Sequence, residues 1–230
     1  MNSTFFYRTI LVVMCFLAFN NFVFSKSLSL NFKQPLALQA QKDATITHLK
    51  VSGVINRKTI ATLNALYPNI VELNMRDAVI VAFTETNKVV SRANEIPISS
   101  FIKKPKLRSV ILPRGVVKIG KGAFWSCQNL EQIILPDSLK IIDQFAFQLC
   151  GKLRQITFPI ELEYIGGASF ASCSSLTTIK CTSTTPPQMP EWNPFPDMKP
   201  NSCVLLVPSK ALAAYQKSPF LNEFLIKALK

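Results

Sequence analysis

Cysteine is the residue type that offers most chemistry in this chain of 230 residues. Six cysteines and one histidine, His48, are the candidates for metal ligation or nucleophilic catalysis. A zinc site needs closely paired ligands such as Cys-x-x-Cys, and the sequence has no such pair. Three cysteines, Cys127, Cys150 and Cys173, instead follow each other at steps of 23 residues. This spacing favours a ladder of buried free thiols that pack as small apolar side chains.

Cys181 and Cys203 flank a proline-rich stretch. Two states are open for this pair: a disulfide, which an oxidising compartment allows, or two buried thiols. Nucleophilic catalysis would need a cysteine beside His48. The sequence also contains no G-x-S-x-G, H-E-x-x-H or phosphate-loop motif. We therefore expect no enzymatic activity, no metal, no cofactor and no small-molecule substrate.

The cysteine spacing is part of a repeat that spans residues 107–181. Four sets of residues recur every 23 positions: leucines 107, 130, 153 and 176; prolines 113, 136 and 159; phenylalanines 124, 147 and 170; and the three cysteines. A fixed period of this length indicates a solenoid, in which each repeat buries its apolar side against its neighbours. The spacing L-x-x-V-x-L predicts one short strand per repeat, and these strands stack as a parallel sheet. The proline ends each strand because it has no N–H for the ladder.

The full unit, L-x-x-I-x-L-P-x-x-L-x-x-I-G-x-x-A-F-x-x-C, resembles the BspA-type leucine-rich repeat family. Two departures are visible: Asp143 replaces the glycine seen at Gly120 and Gly166, and Ser169 replaces an alanine. The resemblance covers nearly the whole chain after the first 25 residues. It implies a secreted or surface-exposed binding protein, often linked to adhesion, and it does not name a ligand.

The expected fold is α/β: a leucine-rich repeat solenoid with a stacked parallel β-sheet, 23-residue repeats, an α/β N-terminal cap and a mixed C-terminal cap. The expected segments are a signal peptide (1–25), an N-terminal cap with irregular repeats (26–106), the regular repeats (107–181), and a proline-rich loop with the C-terminal cap (182–230). In the first cap, Asn56 should begin a helix that covers the open edge of the stack. In the second, residues 203–208 should form the last strand, Leu225 should lie in a closing apolar turn, and Phe195 should take the repeat's phenylalanine position.

The first 25 residues have the pattern of a secretory signal. Arg8 is the only charge before an apolar run over residues 10–19, and Val23 and Ser25 lie at −3 and −1 of a cleavage before Lys26. The run is short for a membrane span of about 20 residues. A cleaved signal is therefore favoured over an uncleaved anchor, which leaves no membrane span in the mature chain. Cys15 lies inside the run in a poor lipobox, so lipidation is disfavoured. We expect secretion or cell-surface exposure, with the periplasm as the other open location.

The chain is strongly basic, with a formal net charge of +13. Such a charge favours anionic partners in general, among them glycans, acidic lipids and cell-wall polymers. Most of the basic surplus precedes the regular repeats, and the candidate basic patch consists of Lys50, Arg57, Lys58, Lys103, Lys104 and Lys106. Electrostatic binding of a polyanion there is the alternative function; nucleic acid is not expected as a specific ligand.

The exposed side of the stacked strands is the main candidate for binding. Side chains alternate along a strand, so the residues between the buried positions point outward. This candidate sheet face consists of Ser109, Ile111, Gln132, Ile134, Gln155, Thr157, Thr178 and Lys180. Its mixture of polar and apolar ladders predicts recognition of an extracellular protein or glycan, and a structural or inhibitory protein with one dedicated partner is a third class. Trp125 and Trp192 are secondary candidates that could stack on sugar rings or simply pack.

Overall fold

A computed structural model of the chain describes residues 25–33, 42–86, 88–189, 192–199 and 202–229. The expected signal peptide therefore lies outside the described residues, except for Ser25. The elements in chain order are β1 (Lys26–Phe32), β2 (Ile46–Ile55), α1 (Arg57–Leu66), β3 (Glu72–Ile80), β4 (Phe83–Glu85), β5 (Lys88–Ser91), β6 (Glu95–Ile96), β7 (Ser109–Ile111), β8 (Lys118–Ile119), β9 (Gln132–Ile134), β10 (Ile141–Ile142), β11 (Gln155–Phe158), β12 (Tyr164–Ile165), β13 (Thr178–Cys181), β14 (Val204–Val207), α2 (Leu212–Gln216) and β15 (Leu225–Ala228).

The strands stack in parallel, as the repeat predicts. One sheet has the order β1-β2-β3-β7-β9 and another the order β11-β13-β14-β15, with β9 beside β11 where the two sheets meet. The register advances by one repeat per strand, so that Val110 pairs with Ile133 and Ile156 with Ile179. The short strands β6, β8, β10 and β12 form a second face. The predicted α/β leucine-rich repeat solenoid with a stacked parallel sheet is thus confirmed.

A column of phenylalanine rings runs through the core. Neighbouring rings are stacked with centroids 5.1–5.4 Å apart, and the column consists of Phe101, Phe124, Phe147, Phe170 and Phe195. Phe195 comes from the proline-rich loop, so the prediction that it takes the repeat position is confirmed. Phe224 closes the column edge-on at 5.2 Å from Phe195. The side chains that recur every 23 residues therefore form one continuous core across the repeats.

The N-terminal helix forms as predicted but does not cover the edge of the sheet. Asn56 caps α1, its side-chain oxygen accepting from the Thr59 N–H at 3.0 Å, and Ile60 and Leu63 are buried. The expectation that the helix covers the first edge is wrong, because β1 pairs with β2 and forms that edge. The physical reason is that a strand can satisfy the N–H and C=O groups along an open strand, whereas a helix has already used its own.

The C-terminal end also contains one strand more than expected. Residues 203–208 include β14, as predicted, but Leu225 lies in β15, which pairs in parallel with β14. The expected closing turn is therefore wrong at this point. The free backbone groups of β14 provide a ladder for the following segment, which has no repeat signature of its own.

Ser169 occupies a position that the other repeats fill with alanine. Its side chain is fully buried, and its Oγ has no hydrogen-bond partner among the residues that the structure describes. Ser169→Ala is expected to raise the free energy of unfolding by about 1 kcal/mol, because a buried hydroxyl without a partner is penalised. Urea unfolding would measure this change. Ala146→Ser is the reciprocal control and should lower stability; a loss of stability in Ser169→Ala would contradict the prediction.

Candidate functional site

The outward side chains of the stacked strands form two ladders. The first runs through Ser27, His48, Glu72, Ser109 and Gln132, and continues in the second sheet through Gln155, Thr178, Val204 and Leu225. The other runs through Ser29, Lys50, Asn74, Ile111 and Ile134, and continues through Thr157, Lys180, Leu206 and Lys227. All eight residues of the candidate sheet face lie in these ladders. The structure lengthens the face at both ends by strands that sequence reasoning missed, because β1 and β15 lack the repeat spacing.

A shallow depression of about 210 Å³ lies at the N-terminal end of this face. Residues of β1, β2, β3 and β7 line it, among them His48, Glu72 and Asn74. The Nε2 atom of His48 lies 3.5 Å from a carboxylate oxygen of Glu72, and Nζ of Lys50 lies 3.7 Å from one of Asp77. Hydrogen-bond donors and acceptors thus alternate over a short distance. Such a lining suits a ligand that both donates and accepts hydrogen bonds, as hydroxyl and amide groups do.

The six residues of the candidate basic patch are distributed over different parts of the surface. Lys50 lies on the sheet face, whereas Arg57 and Lys58 lie in the first turn of α1. Nζ of Lys104 donates to the carbonyl of Asn64 at 3.0 Å, near the other end of the same helix, and burial lowers the pKa of this amine. At a rise of about 1.5 Å per residue, Asn64 lies about 10 Å along the helix axis from Arg57. Lys104 therefore satisfies a helix C-terminus and is not a free contact for a polyanion.

Lys103 and Lys106 remain exposed on the turn that precedes β7. Lys103 places its Nζ 5.5 Å from the centroid of the Trp125 ring in the next repeat. The structure therefore brings Lys103 to an aromatic side chain and separates it from Lys50. Linear proximity along the chain suggested one patch, whereas the solenoid places successive segments on different faces.

The proposed disulfide between Cys181 and Cys203 does not form, and both thiols are free and buried. The strands are neighbours, as expected, but the two residues lie at opposite ends of them. Thr178 pairs with Val204 and Lys180 with Leu206, so Cys203 precedes the paired segment and Cys181 follows it. Four residues along a strand correspond to about 13 Å. A disulfide requires Cα atoms within about 7 Å, which the parallel register excludes.

The cysteines of the repeat are free and buried, and each makes the same contact. Every thiol donates to the backbone carbonyl of the phenylalanine in the preceding turn: Cys127 to Phe101 at 3.0 Å, Cys150 to Phe124 at 3.3 Å and Cys173 to Phe147 at 3.2 Å. The sequence indicated that these cysteines pack as small apolar residues. Only the structure shows that their thiols donate hydrogen bonds to the preceding turn. Burial raises the pKa of Cys127 to about 11 and that of Cys173 to about 12, and it also raises the pKa of Cys150.

These raised pKa values predict a loss of stability in alkaline solution. The folded state favours the neutral thiol, so this stabilisation is complete below the ordinary pKa of 9.0 and is lost as the pH rises towards 12. Each buried thiol should add about 1.4 kcal/mol per pH unit to the decline. Urea unfolding at pH 8, 9.5 and 10.5 would measure it. Because lysines also titrate there, Cys150→Ala is the matched comparison and should show a shallower decline; an equal slope would contradict the assignment.

The described segments contain no group of three or more His, Cys, Asp or Glu side chains arranged to hold a metal ion. They also contain no helix with the length and apolar character needed to cross a membrane.

Residues 94–187 match the BspA type Leucine rich repeat region in six copies. The chain carries a BspA-type leucine-rich repeat region. In these BspA-type repeats, the phenylalanine of A-F-x-x-C forms the ring column, and the cysteine donates to the phenylalanine carbonyl one turn back. The match begins after β5 and ends before β14, so both terminal segments lie outside it. No protein of curated function matches the sequence.

The solved structures to which the chain is similar include leucine-rich repeat proteins. A T. pallidum leucine-rich repeat protein is 25% identical with a TM-score of 0.47, over 66% of this chain and 62% of that one. One from Bacteroides ovatus ATCC 8483 is 20% identical with a TM-score of 0.47, over 88% of this chain and 42% of that one. A leucine rich cell surface protein from Faecalibacterium prausnitzii A2-165 is 16% identical with a TM-score of 0.36, over 80% and 53%. The chain described here therefore spans less than two thirds of each of these proteins.

Proposed function

We propose that this protein is a non-catalytic binding protein of the cell exterior that recognises a protein or a glycan through its sheet face, in an adhesin-like role. The observation that carries this proposal is the continuous outward face of parallel strands, with a depression of about 210 Å³ at its N-terminal end. Solenoids use such extended faces for recognition because every repeat contributes side chains to one surface. The repeat scaffold supplies rigidity, and the outward positions are free to vary.

The chemistry of the sheet face changes along the stack. The N-terminal part presents charged and polar groups such as His48, Glu72 and Asn74. The C-terminal part of the ladders presents Val204, Leu206 and Leu225. A surface that is polar at one end and more apolar at the other suits a macromolecular ligand that spans several strands.

The expected location follows from the sequence pattern of the first 25 residues, which is that of a cleaved secretory signal. Secretion or exposure at the cell surface places the sheet face in contact with extracellular proteins and glycans. Retention in the periplasm is the alternative location, and N-terminal sequencing of the secreted protein would identify the cleavage site.

The net charge of +13 supports one alternative, electrostatic binding of a polyanion. The two functions respond differently to salt, since exposed charges more than about 8 Å apart are screened at physiological ionic strength. Binding that disappears at high salt would favour the polyanion. If this is a structural or inhibitory protein with one dedicated partner, a single ligand should bind, and its binding should persist at high salt.

The experiment is a binding screen of the purified protein against matrix proteins, mucins and glycans at low and high salt. Two sets of substitutions divide the sheet face: Gln132→Glu with Thr157→Glu in the middle, and Asn74→Asp with Ser109→Asp beside the depression. Loss of a salt-resistant ligand in either set, with unchanged unfolding curves, is the expected result. Unchanged binding in both folded variants would remove the sheet face from the function. Lys140→Gln, on another face, is the matched control.

A further inference from the structure

The tight turns on the flank of the solenoid carry a second set of exposed side chains. In each repeat, the segment A-F-x-x-C makes this turn, and its first residue, the phenylalanine and the cysteine are buried. Several positions on or beside these turns carry lysine or aromatic side chains that differ from their counterparts in the other repeats, and they follow one another along the stack. We name this group the aromatic–lysine strip: Lys103, Trp125, Lys121, Phe145 and Trp192.

Phe145 is an unusual residue for its position. Its φ is 59°, and the equivalent positions are Ser99, Gly122 and Ala168, which are all small and also have positive φ. A bulky side chain is disfavoured in this left-handed region, and its ring is only half-buried. The fold therefore accepts smaller residues here, and the phenylalanine is not required by the turn itself.

Trp192 is seated on the repeat next to Phe145. It is 64% exposed, and Gly167 lies directly beneath it, since a Cβ at Gly167 would lie 2.8 Å from the Trp192 Cβ. The backbone fixes this contact, because the Ala168 N–H donates to the Asn193 carbonyl at 3.0 Å. The Phe145 N–H in turn donates to the Gly167 carbonyl at 3.3 Å. Phe145 and Trp192 thus lie on the two turns that flank the Gly167 turn, about 10 Å apart along the stack at about 5 Å per turn.

Two lysines accompany the rings. Nζ of Lys121 lies 5.4 Å from the centroid of Phe145, and Nζ of Lys103 lies 5.5 Å from that of Trp125. In the part of the chain that the structure describes, the ion pairs within 4.0 Å involve other lysines, so neither amine is neutralised by a carboxylate. Asp197, at the end of the strip, is occupied by the N–H and hydroxyl of Ser172.

We propose that the aromatic–lysine strip binds an acidic oligosaccharide. The flat exposed ring of Trp192 and the rim of Phe145 offer apolar surface to the C–H faces of pyranose rings, while the two free amines attract carboxylate groups. A neutral glycan would leave the amines without partners, and a flexible anionic peptide would make no use of the rings. The strip is separate from the sheet face, so this inference does not depend on the proposed function.

The sequence contains two tryptophans, so Trp125→Phe leaves Trp192 as the only indole reporter. In this variant, a titration with a hyaluronan hexasaccharide is expected to shift the fluorescence of Trp192 saturably to shorter wavelength, as the sugar displaces water from the ring. Chitohexaose, which is neutral and of equal length, should bind at least about tenfold more weakly, as should hexaglutamate, which has charge without sugar rings.

Isothermal titration with the otherwise unchanged protein tests the individual residues. Trp192→Ala and Phe145→Ala should each weaken binding of the hyaluronan hexasaccharide about tenfold. Lys121→Gln should weaken binding and reduce its salt dependence. Ile160→Ala and Lys88→Gln, which change an exposed apolar residue and a charge elsewhere, should have no effect.

Equal binding by Trp192→Ala and Phe145→Ala, each with a native unfolding curve, would overturn the proposal. Equal affinity for hexaglutamate would also overturn it, because charge alone would then explain binding, and equal affinity for chitohexaose would overturn the acidic class. If the substitutions on the sheet face abolish binding of the hexasaccharide while those in the strip leave it unchanged, this inference fails and the proposed function stands.

Discussion

Replacing Phe147 by alanine is expected to lower the free energy of unfolding by about 3–5 kcal/mol, the range for removing a large aromatic side chain from a core. Phe147 is fully buried and stacks on both sides, 5.4 Å from Phe124 and 5.3 Å from Phe170. Its loss leaves a cavity in the middle of the ring column, where both neighbouring repeats are themselves held by the column and have little freedom to collapse into it. Urea unfolding followed by circular dichroism would measure the change.

The control is the adjacent residue. Gln148→Ala alters an outward side chain at a position where another repeat has Ala171, so stability should change by less than about 0.5 kcal/mol. Because a solenoid is held together by contacts between neighbouring repeats, Phe147→Ala should also reduce the cooperativity of unfolding. A single transition with a loss below about 1 kcal/mol would contradict the importance of the ring column.

Gly166→Ala is expected to destabilise the fold by about 3 kcal/mol, because the added methyl group would overpack a rigid site. A Cβ at Gly166 would lie 2.4 Å from the backbone nitrogen of Gln144 and 2.7 Å from the carbonyl carbon of Asp143. These are backbone atoms of the preceding turn, and they cannot move without breaking the hydrogen bond from the Gly166 N–H to the Ile142 carbonyl at 2.7 Å. The midpoint of urea unfolding would report the loss.

Gly151→Ala is a matched control for this substitution. A Cβ at Gly151 would meet only the Ser174 hydroxyl, at an ordinary contact distance of 3.6 Å. This variant should retain the stability of the parent or gain about 0.5 kcal/mol from the reduced entropy of the unfolded chain. Equal stabilities of the two variants would show that the turn at Gly166 is more adaptable than the distances indicate.

The repeat position of Gly166 also shows that the repeat pattern alone does not predict what each position requires. The sequence shows glycine at positions 120 and 166 but aspartate at position 143, which looked like a small departure from the repeat. In the structure, the Asp143 carboxylate accepts from the Gln144 N–H at 2.8 Å and lies 2.8 Å from Nζ of Lys118. The same position in the repeat thus has different requirements in different turns, because its neighbours belong to adjacent repeats whose side chains vary.

The candidate binding surfaces likewise consist of residues that the sequence identified and residues that it did not. The eight residues of the sheet face could be identified from alternation along one strand, because that is a local property of the backbone. The strands β1 and β15, which extend the face, could not be identified from the sequence. A short segment that lacks the repeat spacing becomes a strand only when a free strand edge is available beside it. The candidate basic patch depended on proximity along the chain, and the solenoid places Lys50 and Lys104 on different elements.

The sequence by itself determined the repeat period, the inward positions and the phenylalanine and cysteine columns, since identical spacing in consecutive units leaves one way to bury all of them together. Only the tertiary structure decided which residues meet across turns. It separated Cys181 from Cys203 by the parallel register, directed the thiols to the phenylalanine carbonyls, and placed Gly167 between Phe145 and Trp192. The physical reason is that these contacts join residues of different turns, and their geometry depends on how the turns are stacked and on what each neighbouring turn carries.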